Sequence, residues 1–410
     1  MSEAYKPKDQ LSIWCLANPA QPRLVGELAL QYGGRGVTLR YAASWRESGF
    51  ALSEDLPLTD ELFVPKEKDT AVGAVDDARP DRWGERIIRK FEVSPRMSVL
   101  EYLLFVGDDR YGALGVSRAV AHYEPWQQSP MPKIDSLDEM AQVVRKVLTN
   151  EPVPEAQRRL IRPGASLGGA RPKSLVEIDG DAWLVKFSEG EEIDTPLVEH
   201  ATMQLARLCG VNTADTRVFT VGSGHAVAVR RFDRVNRFGK ARIHAVSSNV
   251  ALKATGNDLS YVSLAQLLRR VAPAAAIAGQ QAQLFRRMVF NILIDNTDDH
   301  EKNHALLRQP DGSYLLAPAF DVVPSAQGLG YQAMAIGEQG TVSSLANALS
   351  SARLFGLKDS AARQIVGSIC EQVDGWKAHF TGLGVSGHDI DVLAQYIDGQ
   401  KLGGQRHQQE

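Results

Sequence analysis

The octapeptide NTDDHEKN at residues 296–303 contains the residue types that phosphoryl transfer requires. Asp298 and Asn303 have the D-x-x-x-x-N spacing of a kinase catalytic loop. A carboxylate can orient an attacking hydroxyl and accept its proton, while an amide oxygen can reach Mg²⁺ without adding negative charge near the phosphates. Asp299 has the wrong spacing to Asn303 for this role. The alternative is that these aspartates only shape turns, which is a common role for Asp.

A second carboxylate, Asp321, follows a predicted hairpin in the segment ALLRQPDGSYLLAPAFD. Kinases place their second metal-binding aspartate at this point after the catalytic loop. The sequence reads PAFDVV and lacks the glycine of the D-F-G motif. Asp321 is therefore a candidate Mg²⁺ ligand, with an ordinary turn carboxylate as the alternative.

Residues 162–173, RPGASLGGARPK, form a glycine-rich segment before two β-type runs. Glycine lets backbone N–H groups approach phosphate, and Lys173 can add a point charge. The pattern is neither a Walker A loop nor G-x-G-x-x-G, so a plain turn is the alternative. Lys186 in AWLVKF and Glu199 on the next predicted helix follow the order of the kinase strand lysine and helix glutamate. A solvent-facing lysine and an exposed helix position are the alternatives.

The order of these segments matches a kinase, with the β-type run AVAVRRFDR between the helix glutamate and the helical region. In a kinase this run becomes the hinge that meets the adenine, so residues 229–232 are candidates for that contact. Arg230, Arg231 and Arg234 surround Asp233 and could equally form a surface ion-pair cluster.

The elements that position these residues follow from apolar spacing and turn signals. Short apolar runs separated by Pro and Gly predict a small antiparallel sheet over 11–58. Helical spacing predicts helices over 82–92, 98–107 and 136–148. SLVEI and AWLVKF, joined by DGD around Gly180, predict a hairpin whose second strand carries the lysine.

The second half of the chain changes from mixed to helical character. Thr195 and Pro196 predict the N-cap and first position of a helix over 196–209, and Gly210 predicts its C-terminal stop. β-type runs return at TRVFTV and AVAVRRF, and helical spacing dominates beyond residue 247. The pattern therefore predicts an α+β chain with a largely helical C-terminal part.

Composition indicates an ordinary globular chain of 410 residues, with 44% apolar and 23% charged residues. A net charge of −3 provides no general attraction to nucleic acid or anionic membrane. The three cysteines are far apart and lack CxxC spacing, so we expect neither a disulfide framework nor a zinc site. We expect no signal peptide, no membrane segment and a cytoplasmic location.

Several motifs together resemble the HipA family of serine/threonine kinase toxins. They are DARPDRWGERII, LLFVGDDRYGALGV, GASLGGARPKSL, AVRRFDR, FRRMVFNILIDNTDDHEKNHALL and LAPAFDVVPS. The resemblance covers nearly the whole chain and implies an α+β, protein-kinase-like two-lobed fold. It implies an N-terminal β-rich subdomain over 1–125, a small lobe with the glycine-rich loop over 126–246, and an all-α C-terminal lobe over 247–410. ATP is expected between the lobes.

The resemblance also implies roles for individual residues. Asp298 would be the catalytic base, and Asn303 and Asp321 would bind Mg²⁺. Ser166 in the glycine-rich loop would be an autophosphorylation site that silences the kinase. The predicted ATP-binding residues are Leu167, Gly168, Gly169, Ala170, Lys173, Lys186, Arg231, Phe232, His300, Asn303 and Asp321.

The partners that the resemblance implies are a small HipB-like helix-turn-helix antitoxin and a protein substrate. An aminoacyl-tRNA synthetase is the implied substrate class, and DNA would be contacted only through the antitoxin. Two other functions fit the Asp-to-Asn spacing: a small-molecule phosphotransferase, and an inactive kinase-like co-repressor that binds an antitoxin. The N-terminal motifs argue against the first, and the intact set of Lys186, Asp298, Asn303 and Asp321 argues against the second.

Overall fold

The computed structural model of the protein describes residues 5–31, 33–126, 130–164, 169–235 and 241–407. The chain forms two compact units, each made of two separate segments. Unit 1 comprises Met1–Phe187 and Arg230–Thr255, and unit 2 comprises Ser188–Val229 and Gly256–Glu410.

Strands are found in both units. In chain order they are β1 (Gln10–Cys15), β2 (Arg23–Gln31), β3 (Gly36–Tyr41), β4 (Thr70–Ala71), β5 (Leu114–Ser117), β6 (Lys173–Ile178), β7 (Asp181–Phe187), β8 (Thr216–Val221), β9 (Gly224–Arg230), β10 (Arg234–Val235), β11 (Ala241–Arg242), β12 (Ala245–Ser247), β13 (Ala305–Arg308) and β14 (Tyr314–Leu316).

Helices are concentrated in the second half of the chain. They are α1 (Ala43–Ser48), α2 (Gly73–Asp76), α3 (Arg82–Phe91), α4 (Val99–Phe105), α5 (Leu137–Leu148), α6 (Glu155–Arg158), α7 (Thr195–Leu208), α8 (Ser248–Ala254), α9 (Tyr261–Val271), α10 (Ile277–Leu293), α11 (Leu345–Ser350), α12 (Asp359–Asp374), α13 (Trp376–Gly382), α14 (Gly387–Ile397) and α15 (Gln400–His407). Short 3₁₀ helices span Gly107–Asp109, Ile134–Ser136, Glu301–Asn303 and Ala352–Phe355.

Unit 1 begins with a five-stranded sheet in the order β4-β3-β2-β1-β5. The pairs are antiparallel except β3 with β4, which confirms the predicted antiparallel sheet and adds one parallel edge strand. Leu11–Cys15 are all buried, so β1 is covered on both faces. Because a strand covered on both faces need not alternate apolar and polar residues, the run LSIWCLA at 11–17 is almost continuously apolar.

Two predicted helices of unit 1 are confirmed with defined N-termini. The Asp81 side chain caps α3 by accepting a hydrogen bond from the Gly84 N–H at 2.8 Å. Ser98 caps α4 and forms a capping box with Glu101, whose buried carboxylate also binds Arg96 at 2.8 Å. The HipA-like motif DARPDRWGERII therefore contains the local signal that starts α3, and the signal that starts α4 lies just before the motif LLFVGDDRYGALGV.

Gly84 places α3 directly against the start of the glycine-rich segment. A Cβ at this position would lie 1.9 Å from the Pro163 carbonyl oxygen. We therefore expect Gly84→Ala to destabilise unit 1 by about 1–3 kcal/mol, despite the better helix propensity of alanine. Gly367 in α12 is the matched control, because nothing lies within 4 Å of its added Cβ. Urea unfolding should show loss of stability only for Gly84→Ala; equal midpoints would contradict the close packing.

The hairpin that carries the predicted strand lysine is also confirmed. Strands β6 and β7 pair antiparallel, and Asp179 and Gly180 at the turn have φ values of 53° and 81°. Two positive φ values are what a type I′ turn requires, and Asp-Gly supplies them with little strain. The turn sets the register in which Lys173 lies opposite Lys186.

Unit 2 contains the β8–β9 hairpin, the β13–β14 hairpin and most of the long helices. Helix α7 begins at Thr195, but its cap is Asp194, which accepts a hydrogen bond from the Leu197 N–H at 3.3 Å. The predicted Thr195 cap was thus wrong by one residue, because the Asp194 carboxylate takes the capping position. Gly210, with a φ of 74°, follows the helix end as predicted.

The predicted α+β class is confirmed. After residue 247 helices predominate, with the β13–β14 hairpin and the helix-free segment 317–344 between α10 and α11. In the described residues, no helix is long and apolar enough to cross a membrane. The domain boundaries at 125 and 246 stay a prediction.

Candidate functional site

The predicted catalytic residues lie on a short loop between α10 and β13 in unit 2. Asp298 is exposed, whereas Asn303 is buried at the end of a 3₁₀ turn. The Asn303 side-chain N–H donates to the backbone carbonyl of Asp298 at 3.3 Å. This bond uses the side-chain NH₂ group of Asn303 within the loop. The side-chain oxygen of Asn303 is the atom that a Mg²⁺ ion would need. The structure therefore brings the predicted base and one predicted metal ligand together.

His300 lies inside this loop and is half-buried. Its Nδ1 accepts a hydrogen bond from the Lys302 N–H at 3.3 Å, which starts the 3₁₀ turn. The imidazole therefore has a local capping function. Its predicted contact with nucleotide stays a prediction.

Under the exposed Asp298, the next residue turns inward. The Asp299 carboxylate accepts hydrogen bonds from the Tyr261 hydroxyl and from the His304 ring, the latter at 2.9 Å. Burial alone would raise the pKa of Asp299, but His304 and Tyr261 outweigh burial and hold this pKa below its usual value. Asp299 is therefore a charged anchor for the loop, a role that its spacing to Asn303 did not reveal.

The same loop is joined by hydrogen bonds to the segment that follows Asp321. The Asp295 carboxylate accepts from the Gly328 N–H at 3.0 Å, and the Asp295 carbonyl accepts from the Ser325 N–H at 2.9 Å. The Thr297 N–H donates to the Ser325 hydroxyl at 2.9 Å. These bonds hold the two predicted metal-binding segments of unit 2 against each other.

Asp321 has a positive φ of 57°, which is uncommon for a residue other than glycine. The backbone just before it is fixed, because Ala319 exchanges hydrogen bonds with Asn212 and Ala214 at 2.7 and 2.9 Å. A strained backbone that is held by its surroundings is often found at functional sites. This geometry makes Asp321 a good candidate ligand, and its metal-binding role stays a prediction.

The predicted phosphate-binding lysines lie in unit 1, opposite each other on β6 and β7. Directly opposed residues of an antiparallel pair share one face of the sheet, and both lysines are buried. Two buried positive charges on one face are unfavourable unless negative charges lie nearby. The Asp81 carboxylate provides one such charge, since it binds the Lys173 ammonium group at 2.8 Å. Burial excludes the solvent-facing alternative for Lys186. Glu199, on α7 in unit 2, is likewise buried, so its exposed alternative was wrong.

The glycine-rich segment is described at its two ends. Gly164 packs against Val106, and Gly169 has a φ of 102°. A Cβ on Gly169 would lie 2.8 Å from the Lys173 ammonium nitrogen, so the segment returns directly over this lysine. Gly169 and Ala170 are exposed. The predicted residues Ser166, Leu167 and Gly168 lie outside the described residues.

After β9, Arg231, Asp233 and Arg234 form a largely buried cluster in unit 1, which corrects the surface alternative for these residues. Arg230, the last residue of β9, is exposed and pairs with Asp181 at 2.6 Å, as the surface alternative expected. The Asp233 carboxylate is fully buried and accepts hydrogen bonds from Arg231 at 2.6 and 2.7 Å and from Arg234 at 2.8 Å. The Gly112 N–H donates a further bond at 2.8 Å. Burial raises the pKa of Asp233, but the two guanidinium groups and the Gly112 N–H outweigh burial and hold it at about 2.

This cluster joins two of the motifs that are far apart in the sequence. Arg231 donates to the carbonyls of Asp109 and Arg110 at 2.8 and 3.1 Å, and Arg234 donates to those of Arg110 and Gly112. The Arg231 guanidinium is therefore engaged within unit 1. An adenine contact by Arg231 or by the neighbouring half-buried Phe232 stays a prediction.

Residues 165–376 match the family described as HipA-like C-terminal domain, which is more than half of the chain. The chain belongs to the HipA family. Residues 20–117 also match the HipA N-terminal domain.

Relatives of this HipA-family chain include the serine/threonine-protein kinase toxin HipA of Shewanella oneidensis. The two are 24% identical over 330 residues, which covers 73% of this chain and 72% of that protein. A putative kinase of Sinorhizobium fredii is 27% identical over 332 residues, covering 73% of this chain and 75% of that protein. These matches support a kinase-like enzyme.

A solved structure, the Shewanella oneidensis HipA in complex with HipB and its operator DNA, has the same fold. Its TM-score is 0.69 at 20% identity, with 97% of each chain covered. The structural similarity confirms the predicted fold class for this HipA-family chain.

Two interactions that support the predicted site residues were not predicted from the sequence. Asp81 is 92 positions from Lys173, and no local pattern pairs them. The link between Asp299 and His304 had a visible signal, because these residues have the same five-residue spacing as Asp298 and Asn303.

Proposed function

We propose that this chain is an ATP- and Mg²⁺-dependent protein serine/threonine kinase that acts as the toxin of a toxin-antitoxin system. The observation that carries the proposal is the loop in which exposed Asp298 and buried Asn303 are joined by a hydrogen bond. This loop presents a carboxylate to an incoming substrate and keeps an amide oxygen at the fixed spacing that kinases use for metal binding.

In the proposed reaction, Asp298 orients a serine or threonine hydroxyl and accepts its proton. The hydroxyl oxygen forms a bond to the γ-phosphorus of ATP while the bond from that phosphorus to the bridging oxygen breaks, and ADP leaves. Asn303 and Asp321 would hold Mg²⁺, which supplies positive charge to the phosphates. Lys173 and Lys186 would add two further positive charges on one face of the β6–β7 hairpin.

The oxygen ligands suit the metal. Mg²⁺ prefers carboxylate, carbonyl and phosphate oxygens and commonly uses only one or two protein side chains beside phosphates and water. One aspartate and one asparagine amide match this preference, and both belong to backbone segments fixed by hydrogen bonds. This agreement supports the proposed Mg²⁺ site.

The proposed partners follow from the relatives. The Shewanella structure contains HipB and operator DNA, and we propose that a HipB-like antitoxin binds this chain and provides any DNA contact. The proposed substrate is a cytoplasmic protein, with an aminoacyl-tRNA synthetase as the first class to test. Co-expression with a candidate helix-turn-helix protein from the same genome would test the proposed antitoxin. We expect the two proteins to purify together.

The first experiment is incubation with Mg-ATP carrying a labelled γ-phosphate, with and without a cytosolic extract. We expect label on this chain or on an extract protein, and an intact-mass increase of one phosphate wherever transfer occurs. Peptide mapping then identifies the acceptor. Label only on small molecules would instead favour a small-molecule phosphotransferase, and ATP binding without any transfer would favour an inactive antitoxin-binding module.

Ser166 is the proposed autophosphorylation site, although it lies outside the described residues. An added negative charge in the glycine-rich segment would repel ATP phosphates, because a phosphoserine carries about 1.5 to 2 negative charges. We therefore expect Ser166→Asp to weaken Mg-ATP binding at least about tenfold, a change of about 1.4 kcal/mol. Ser166→Ala is the control and should bind normally. Equal calorimetric affinities of both variants would contradict the proposed silencing.

A further inference from the structure

The catalytic loop is closed by two links of identical sequence spacing. Asn303 donates to the Asp298 carbonyl at 3.3 Å, and His304 binds the Asp299 carboxylate at 2.9 Å. Each link spans five residues, and the second is offset from the first by one residue. The outer link joins the proposed base to a proposed metal ligand, and the buried link joins their two neighbours.

The buried link is attached to the helices around it. The Tyr261 hydroxyl at the start of α9 donates to Asp299, and the Asn291 amide of α10 donates to the same hydroxyl at 3.3 Å. The His304 ring packs edge-on against the Tyr261 ring, with 5.3 Å between ring centroids. Asp299, His304, Tyr261 and Asn291 are all buried. The loop is therefore fixed to two helices as well as to itself.

A buried carboxylate is a costly way to achieve stability alone. Removing a charge from water carries a large penalty, and apolar residues of similar size often stabilise a fold as well or better. What hydrogen bonds add is direction and distance, because each one constrains two specific atoms. This cost favours a role for Asp299 in geometry over a role in stability alone.

We infer that Asp299 and His304 are positioning residues that set the distance between Asp298 and Asn303, and so the metal site on which transfer depends. The inference rests on the proposed kinase function. Asp299 touches neither substrate nor metal in this role. It acts through the backbone on either side, because a shift of Asp299 moves Asp298 and a shift of His304 moves Asn303.

The test measures Mg²⁺ dependence of nucleotide binding, which does not require turnover. Binding of a non-hydrolysable ATP analogue is titrated with Mg²⁺ for wild type, Asp299→Asn and His304→Gln. We expect the Mg²⁺ concentration for half-saturation to rise about 10- to 100-fold in both variants, as for other supports of metal ligands. Analogue binding without Mg²⁺ should not change. Where transfer is measurable, kcat should fall more than KM for ATP rises.

The double variant Asp299→Asn/His304→Gln separates a coupled pair from two independent losses. If the residues act as a unit, the double variant should require no more Mg²⁺ for half-saturation than the more impaired of the two single variants. If the fold-rise of the double variant equals the product of the two single fold-rises, the residues act independently and the coupling is wrong.

Arg406→Met is a control for plain destabilisation in the same unit. Arg406 of α15 is buried and binds Asp374 and Asp398, each at 2.7 Å. We expect this variant to lower the unfolding midpoint and leave the Mg²⁺ half-saturation at the wild-type value. If Asp299→Asn and His304→Gln behave in the same way, the positioning role is wrong. A wild type without Mg²⁺-dependent nucleotide binding would instead contradict the proposed kinase function itself.

Discussion

Asp298→Asn should reduce the rate of phosphotransfer by about 100- to 10,000-fold, the usual contribution of a general base. The substitution keeps the shape of the side chain and removes its ability to take the substrate proton. Asp298 is exposed, and its side chain lies outside the Asp299 and His304 link, so folding should not suffer. Single-turnover transfer with saturating Mg-ATP is the appropriate measurement, because it isolates the chemical step.

The affinity for Mg-ATP distinguishes whether Asp298 is the catalytic base or a Mg²⁺ ligand. As a base, Asp298 makes its main contribution in the transition state, so Asp298→Asn should bind Mg-ATP within about threefold of wild type. Asp311→Asn is the matched control, since Asp311 is an exposed hairpin carboxylate that binds Ser313 at 2.6 Å. It should transfer phosphate normally. A normal rate in Asp298→Asn would exclude it as the base, and lost Mg-ATP binding would reassign it as a metal ligand.

Local signals made much of the fold predictable. The Asp179-Gly180 turn, the Ser98 capping box and the Gly210 helix end each depend on a few adjacent residues, and the structure contains all three. The spacing of Asp298 and Asn303 is local as well. The loop can therefore be recognised in the sequence before any fold is known, because its chemistry requires two residue types at one fixed separation.

Long-range pairings were not predictable in this way. Arg231 lies 122 positions from Asp109, and neither sequence neighbourhood indicates the other. An arginine-rich run with one aspartate resembles an exposed ion-pair cluster unless the partner carbonyls are known. The two compact units pose the same difficulty, because each is built from two separate segments and composition along the chain does not show which segments meet.

The Asp299 anchor lies between these two cases. Its link to His304 is local, but the D-x-x-x-x-N spacing to Asn303 belongs to Asp298 and indicates no role for Asp299. Its second partner, Tyr261, is 38 positions away, at the start of α9. The role of a charged residue beside a catalytic residue can therefore be assigned only when its burial is known. Here Asp298 is exposed and Asp299 is buried.

Asp233→Asn should be the most destabilising of the substitutions considered in unit 1. The carboxylate offsets the charges of two arginines, and its side chain is 1% exposed. Loss of one partner from a buried ion cluster costs about 3–5 kcal/mol, since the remaining charges stay buried without compensation. Urea unfolding followed by tryptophan fluorescence suits this test, because Trp14, Trp45, Trp83, Trp126 and Trp183 all lie in unit 1.

Asp69→Asn provides the control in the same unit. Asp69 pairs with Arg35, but both side chains are more than half exposed, at 59% and 57%. Solvent screens such a pair, and Asn tolerates the positive φ of 60° at this position. We expect no measurable change in the midpoint. Similar midpoints for Asp233→Asn and Asp69→Asn would show that the buried cluster contributes no more than a surface pair.

The pH dependence of the difference between wild type and Asp233→Asn follows from the pKa of about 2 for Asp233 in the folded protein. An unfolded aspartate has a pKa of about 3.9, so the folded state binds this proton less readily. Asp233 therefore stabilises the fold fully above about pH 4, and this contribution is lost as the pH falls through 4 towards 2. The free-energy difference should be constant from about pH 5 to 7 and should shrink in acid. A difference that grows on acidification would mean that Asp233 is protonated in the folded protein, which its two arginine partners make unfavourable.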